Sequence, residues 1–392
     1  MKMSFVATPG VEPLASVHVR TSILDVSLLP NKSFTPAPQR SDPGERIAPL
    51  DGLRGLAIAA VFIHHAFHMK LLWMGVDLFF VLSGFLITTI LLKQKGRTFG
   101  AYIGHFYACR IRRIVPPYLV ILLIATVVFG PMWLHYWYFY IGGMNFLLPL
   151  HLFWLDAVPL WSLAVEEQFY LLWPLVVYFL SRRSLHAFTW VLLGLAPLLR
   201  YLCTPLFREH WAIYMLTPFR MDTLAAGALI AILWPSIQGR LATSPALKWK
   251  IGAGCIMLLA LSMVALSSFH RFSIFTDANT PLSNAVLYET TLAICTGVFV
   301  LVLLGIGKTF LSSWPLVWLG RISYSIYLFH LTALYLLPGY KALPAALLTI
   351  AYSLVMWYAL EMPNPLLSLN LWHTAWRAGA VQPGQICPKP AE

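Results

Sequence analysis

The chain has 392 residues, 59% of them hydrophobic and only 11% charged, with a formal net charge of +12. A soluble domain usually carries about 25% charged residues, and a water-soluble fold of this length cannot hide so much apolar side chain, whereas lipid matches it. Composition therefore excludes a soluble globular protein. The basic excess, gathered in loops between apolar runs, reads as a topology signal and as contacts to anionic lipid or donor, with no nucleic-acid partner.

In chain order, residues 1–46 are rich in Pro and polar residues, including the run from Thr35 to Pro43. They have no apolar core of signal-peptide type and read as a disordered cytoplasmic tail. Residues 363–392 read as a short C-terminal tail. Between them, 47–362 reads as one membrane domain. Apolar runs long enough to span a bilayer, at roughly 20 residues each, fall at 52–69, 72–92, 114–131, 162–180, 187–204, 213–234, 251–269, 285–306, 316–337 and 344–362. The fold class is thus all-α, a polytopic transmembrane bundle of about ten helices. The aromatic segment 135–156 reads as re-entrant or interfacial, because Trp and Tyr concentrate at headgroup level.

With ten spans, the basic residues Lys93, Lys95, Arg97, Arg110, Arg112, Arg113, Arg182, Arg183, Arg240, Lys248 and Lys250 fall on one side. The other side keeps Lys70, Arg208, Arg271 and Lys341. The positive-inside bias puts both termini in the cytoplasm.

Ionisable residues inside a membrane helix cost a few kcal/mol and call for an explanation. His65 follows Arg54 by eleven residues, about 16 Å along a helix, which places it well inside the bilayer. The next span returns after a short turn and brings Asp77 to a similar level. A carboxylate there is expected to hydrogen-bond the imidazole and fix its tautomer. Glu166 and Glu167 are adjacent, so they point about 100° apart and at most one faces a given partner. His330 stands nine residues beyond Arg321, again deep in the bilayer. One such histidine is ordinarily a helix-to-helix hydrogen bond; several acids and imidazoles at similar depth indicate a shared polar cavity. Arg110 and Arg113, at i and i+3, share a helical face just before the expected start of the third span. Two guanidiniums together suit a diphosphate or phosphate group, as in coenzyme A. No metal site and no permanently bound cofactor are expected, and the cysteines share no metal-ligand spacing.

Several blocks then resemble a known family. They are Leu50-Asp-Gly-Leu-Arg-Gly-Leu-Ala57 with His65, Gly75-Val-Asp-Leu-Phe-Phe-Val-Leu-Ser-Gly-Phe-Leu-Ile87, Arg110-Ile-Arg-Arg113 before Pro116, and Trp161-Ser-Leu-Ala-Val-Glu-Glu-Gln-Phe-Tyr170. Weaker echoes are Arg220-Met-Asp222 and Gly320-Arg-Ile-Ser-Tyr-Ser-Ile-Tyr-Leu-Phe-His330. In this order they resemble the acyltransferase family 3 integral membrane proteins. The resemblance implies O-acylation, commonly O-acetylation, of carbohydrates or macrolide-type products. It implies that His65 and Arg54 are essential, that Arg110 and Arg113 engage an acyl-coenzyme A donor, and that Glu166 or Glu167 stands near the active cavity. Cys109 departs from the pattern, standing where many relatives have another Arg. The sequence shows no fused hydrolase-like domain, which reads as a stand-alone enzyme.

The resulting expectation is an integral, multi-pass O-acyltransferase of a bacterial cytoplasmic membrane. It moves an acyl group, acetyl by preference, from cytoplasmic acyl-CoA (acetyl-CoA) to a hydroxyl of a surface polysaccharide or glycolipid. His65 is the expected general base with Asp77 orienting it; Arg54, Glu166 and Glu167 complete the catalytic set. His330, Tyr170 and Ser83 are expected to line the substrate. A macrolide-type acceptor is the alternative within enzymology, and a proton-coupled transporter is the alternative of another class, since both need intramembrane ionisable groups.

Overall fold

The computed structural model describes residues 48–150, 152, 159–207, 210–270, 272, 279–337 and 342–361, all within the unit Gly44–Glu392. The expected N- and C-terminal tails, and Arg208, Arg271 and Lys341 of the loops, lie outside the described residues.

Among the described residues the secondary structure is helical, with no strand. The helices are α1 (Ala48–Phe67), α2 (Gly75–Gln94), α3 (Phe99–Phe129), α4 (Leu160–Phe179), α5 (Arg182–Cys203), α6 (Trp211–Met215), α7 (Met221–Thr243), α8 (Pro245–Ser268), α9 (Pro281–Leu303), α10 (Lys308–Leu311), α11 (Trp314–Arg321), α12 (Ser323–Leu336) and α13 (Ala342–Met356). Eight of these segments are long and apolar enough to cross a membrane. The apolar surface is that of a lipid-facing protein. On α3, Leu119, Leu123 and Val127 repeat every four residues and are 58%, 65% and 80% exposed, a stripe that water would penalise and lipid does not. The outer helix α8 likewise exposes Ile256, Met257, Leu261 and Val264.

The chain reverses between α1 and α2 within a few residues, and two non-glycine residues take the left-handed backbone region there: His68 with φ 53° and Leu71 with φ 74°. α2 is buried along most of its length, with α1, α4, α7 and α9 packed round it. Glycines set the closest approaches. A methyl group at Gly84 would collide with the Leu224 carbonyl of α7, and one at Gly227 with the Val81 carbonyl of α2. On α1, a methyl at Gly55 would meet the Leu316 carbonyl of α11, and Gly320 of α11 lies as tightly against Asp51. Small residues let membrane helices approach backbone to backbone. Both glycines of the Asp51-Gly-Leu-Arg-Gly55 block therefore have a packing role, since Gly52 abuts the Leu311 carbonyl in the same way. That contact fixes the face on which Arg54 stands.

Three expected spans are altered. α3 begins at Phe99, well before 114, so Arg110 and Arg113 lie inside a continuous helix rather than ahead of one. Pro116 and Pro117 sit within α3, where the apolar run alone placed the start. The expected span 213–234 is divided into α6, the short 3-10 turn Thr217–Phe219 and α7. Leu216 is extended at ψ 135° and ends α6, and Pro218 sits in the first turn of the 3-10 segment, where its missing N–H is tolerated. The expected span 316–337 is broken at Ile322, where the Ser323 hydroxyl donates to the Gly320 carbonyl at 2.8 Å; Gly/Ser combinations are a recognised cause of kinks. The aromatic segment folds as 3-10 turns at Pro131–Tyr140 and Met144–Phe146, with Trp137 and Tyr138 more than half exposed.

Candidate active site

Five helices bring polar side chains to one cavity. α1 contributes Arg54, α2 Ser83, α3 Arg110 and Arg113, and α4 Glu166 and Tyr170. The break at Ile322 lets α12 present Ser323, Tyr324 and Tyr327 to the same space. Arg113 is exposed while Ser83 and Tyr170 are buried, so the cavity runs inward from a cationic mouth. Ser83 Oγ donates to Glu166 Oε1 at 2.7 Å, and the Tyr170 hydroxyl donates to Glu166 Oε2 at 2.8 Å. Both carboxylate oxygens are therefore held, which orients the group toward the arginines. The Arg110 guanidinium lies 5.4 Å from the Tyr170 ring centroid and 5.6 Å from that of Phe106, a cation–π arrangement that steadies it. Arg54 Nε is buried without an acceptor among the described residues. Buried donors are rarely left so, and an anionic ligand in the cavity would satisfy it.

Glu167 is turned the other way. It does not line the cavity, and its carboxylate lies against Gly142 of the aromatic segment. Gln168 donates to the Gly142 carbonyl at 2.6 Å and to Asn145 Oδ1 at 3.0 Å, so this face of α4 anchors that segment. Of the two adjacent acids, the geometry brings Glu166 to the arginines.

His65 and His330 meet, with His330 Nε2 3.4 Å from His65 Nδ1 and ring centroids 5.1 Å apart. His65 Nδ1 lies 2.9 Å from the Val61 carbonyl and His330 Nδ1 2.7 Å from the Tyr327 carbonyl. A carbonyl only accepts, so each Nδ1 carries the proton and each Nε2 bears a lone pair. The tautomer of His65 is thus set by its own helix backbone one turn back.

The expected hydrogen bond from Asp77 to His65 is not the one formed. Asp77 is ion-paired with Arg220, both fully buried. The helical face decides this. Gly75 packs on Ala57 and Val61 of α1; Asp77, two residues on, lies about 200° round the helix and faces α7. Arg220 is further surrounded by the rings of Tyr288, Tyr214 and Phe80, with centroids at 5.2, 5.6 and 5.8 Å. Beside it, Arg200 pairs with Asp222 at 2.5 Å and with Glu289, and donates to the Phe219 carbonyl. This charged cluster ties α2, α5, α7 and α9 together away from the arginine cavity.

Sequence reasoning missed Tyr327, Ser162, Arg200 and Glu289. Tyr327 had a signal, standing three residues before His330 on one helical face. Arg200 and Glu289 had none beyond being charged in apolar runs. Among the described residues no three His, Cys, Asp or Glu side chains gather as a metal site would require.

The acyltransferase domain characteristic of acyltransferase family 3 matches residues 47–362. The chain belongs to this acyltransferase family. Among family members, O-acetyltransferase OatA of Staphylococcus aureus is 28% identical over 320 residues, covering 72% of this chain and 49% of the relative. The peptidoglycan O-acetyltransferase OatA of Listeria monocytogenes is 31% identical over 318 residues, covering 72% of this chain and 48% of the relative. The chain spans about half the length of these two curated relatives. No solved structure matches it. Family membership and the apolar helices together make this an integral membrane acyltransferase-family protein.

Proposed function

We propose that the protein is a membrane O-acetyltransferase that moves an acetyl group from acetyl-CoA to a hydroxyl of a carbohydrate. The observation that carries this reading is the cavity in which Arg54, Arg110 and Arg113 converge on Glu166 and Tyr170, and whose Tyr327 packs against His330 of the His65–His330 pair. Arg110 and Arg113 bind the diphosphate and phosphate of the donor through charge-assisted hydrogen bonds, and Arg54 Nε–H completes the anion contact. The acceptor hydroxyl attacks the thioester carbonyl. Its proton passes to His65 Nε2, a C–O bond forms, and the C–S pair leaves on sulfur. The thiolate then takes up one proton, giving coenzyme A and the ester. General-base assistance of this kind contributes about 10²–10⁴-fold.

The arginine mouth faces the cytoplasm in this reading, with both termini on that side of a bacterial cytoplasmic membrane, and the bilayer as the permanent partner. The names of the S. aureus and L. monocytogenes relatives support O-acetyl transfer, and the latter supports a peptidoglycan acceptor.

The test is transfer of radiolabelled acetyl from acetyl-CoA by the purified protein in proteoliposomes, with peptidoglycan fragments and other glycans offered on the inner or outer face. Ester formation on a glycan with equimolar release of coenzyme A is expected. Intact donor in the presence of every glycan would sink the proposal.

A further inference from the structure

Two side chains of the arginine cavity link its lining to the imidazole pair. Tyr327 of α12 and Ser162 of α4 both line the cavity and hydrogen-bond to each other across it. His65 and His330 do not line it. The Tyr327 ring lies 5.7 Å from that of His330 on one side and 6.5 Å from that of Phe79 on another. Helical rise gives the same order. On α12, Tyr327 is followed by His330 about 4.5 Å further along. On α4, Tyr170, Glu166 and Ser162 stand in a row at four-residue spacing, each about 6 Å from the next. Ser162 and Tyr327 therefore meet at the end of the α4 row farthest from Tyr170, where Tyr327 packs against His330.

We infer that the Tyr327–Ser162 bridge measures the acyl group, passing acetyl and turning away longer chains. The inference rests on the acyl-transfer reading above. With the donor's phosphates held at Arg110 and its acyl end directed inward, the thioester carbonyl must reach a hydroxyl served by His65. The acyl chain then lies against the Tyr327 ring, backed by Phe79. Acetyl, the shortest of these chains, is the least obstructed there, and each added methylene presses further on the ring and on the bridge. Tyr327 is thus a specificity-determining residue rather than a catalytic one.

The experiment compares acetyl-CoA, butyryl-CoA and hexanoyl-CoA as donors for the full-length wild type, Tyr327→Val and Ser162→Ala in proteoliposomes, each with the same acceptor. One methylene in an apolar pocket is worth about 10–200-fold in kcat/KM. The wild type is expected to prefer acetyl to butyryl by about 100-fold or more. Tyr327→Val should compress that ratio at least about tenfold by raising butyryl transfer relative to acetyl transfer. Ser162→Ala removes a single oxygen from the opposite helix and should shift the ratio in the same direction. It carries the test if Tyr327→Val does not accumulate in the membrane. Unchanged ratios in the variants, or equal use of acetyl and butyryl by the wild type, would overturn the inference and leave acyl transfer standing. Absence of transfer from every donor by the wild type would overturn both.

Discussion

His330 Nε2 stands 3.4 Å from His65 Nδ1, so imidazoles 265 residues apart in the chain share one N–H. The Val61 carbonyl already accepts from that nitrogen, which makes the His65 proton bifurcated and leaves Nε2 as the basic atom. His330 adds an acceptor to a tautomer the backbone has already set. His65→Ala is therefore expected to lower kcat by about 10²–10⁴-fold, because it removes the base. His330→Asn keeps a polar partner of smaller reach and should cost no more than about tenfold. Single-turnover acetyl transfer separates the two. Equal losses would mean that the imidazoles act as one unit.

The cationic mouth makes a prediction about binding. Charge-assisted hydrogen bonds contribute about 1.5–3 kcal/mol each. Arg110→Ala with Arg113→Ala should therefore raise the Kd for acetyl-CoA by about 10²–10⁴-fold, with membrane insertion and detergent melting temperature nearly unchanged. Arg113 is exposed, and Arg110 of α3 touches α4 through the Tyr170 ring alone, so the double variant loses one cation–π contact between helices and no ion pair within the bundle core. Titration with a fluorescent coenzyme A analogue reads the affinity directly.

Asp77 separates a catalytic role from a structural one. Its carboxylate and the Arg220 guanidinium are a fully buried pair. Removing one partner of such a pair strands the other charge and costs about 3–5 kcal/mol. Asp77→Ala should thus fall in melting temperature well before any fall in kcat of the surviving protein is measured. Asp77→Ala combined with Arg220→Met should recover much of the loss, since an apolar replacement of a buried pair is often neutral. Normal stability of Asp77→Ala with a collapsed kcat would restore the expected role beside His65.

These outcomes mark what the sequence could disclose. The helical, membrane-spanning class follows from run length and charge, because lipid demands both regardless of packing. The family resemblance named Arg54, Arg110 and Glu166 or Glu167 as site residues, while the choice of Glu166 comes from the packing of α4. The partner of Asp77 did not follow from run length or motif, because rise along a helix fixes depth while the packing face fixes azimuth. That face was nonetheless encoded. Asp77 and Gly84 are seven residues apart, so they share a side of α2, and Gly84 is the residue seated on α7. The breaks at Arg220 and Ile322 escaped a reading based on hydropathy, since a kink costs no apolar residue. They matter because one opens α12 into the cavity and the other sets Arg220 against Asp77.

The glycine seats give the last prediction. Gly84 and Gly227 each lie where a methyl group would overlap a backbone carbonyl of the facing helix, and backbone cannot yield as a flexible side chain can. Gly227→Ala must push α2 and α7 apart, at a cost in the range of about 1–3 kcal/mol usual for overpacking. The displacement also loosens Asp77 from Arg220, because α7 begins beside that pair. Gly100 and Gly104 of α3 offer the control, since nothing lies within 4 Å of a methyl at either. Alanine there should be neutral or slightly stabilising through helix propensity. Melting temperatures of the purified variants in one detergent decide it: a clear drop for Gly227→Ala and none for Gly104→Ala is expected. Equal behaviour would mean that α2 and α7 pack less tightly than their carbonyl contacts require.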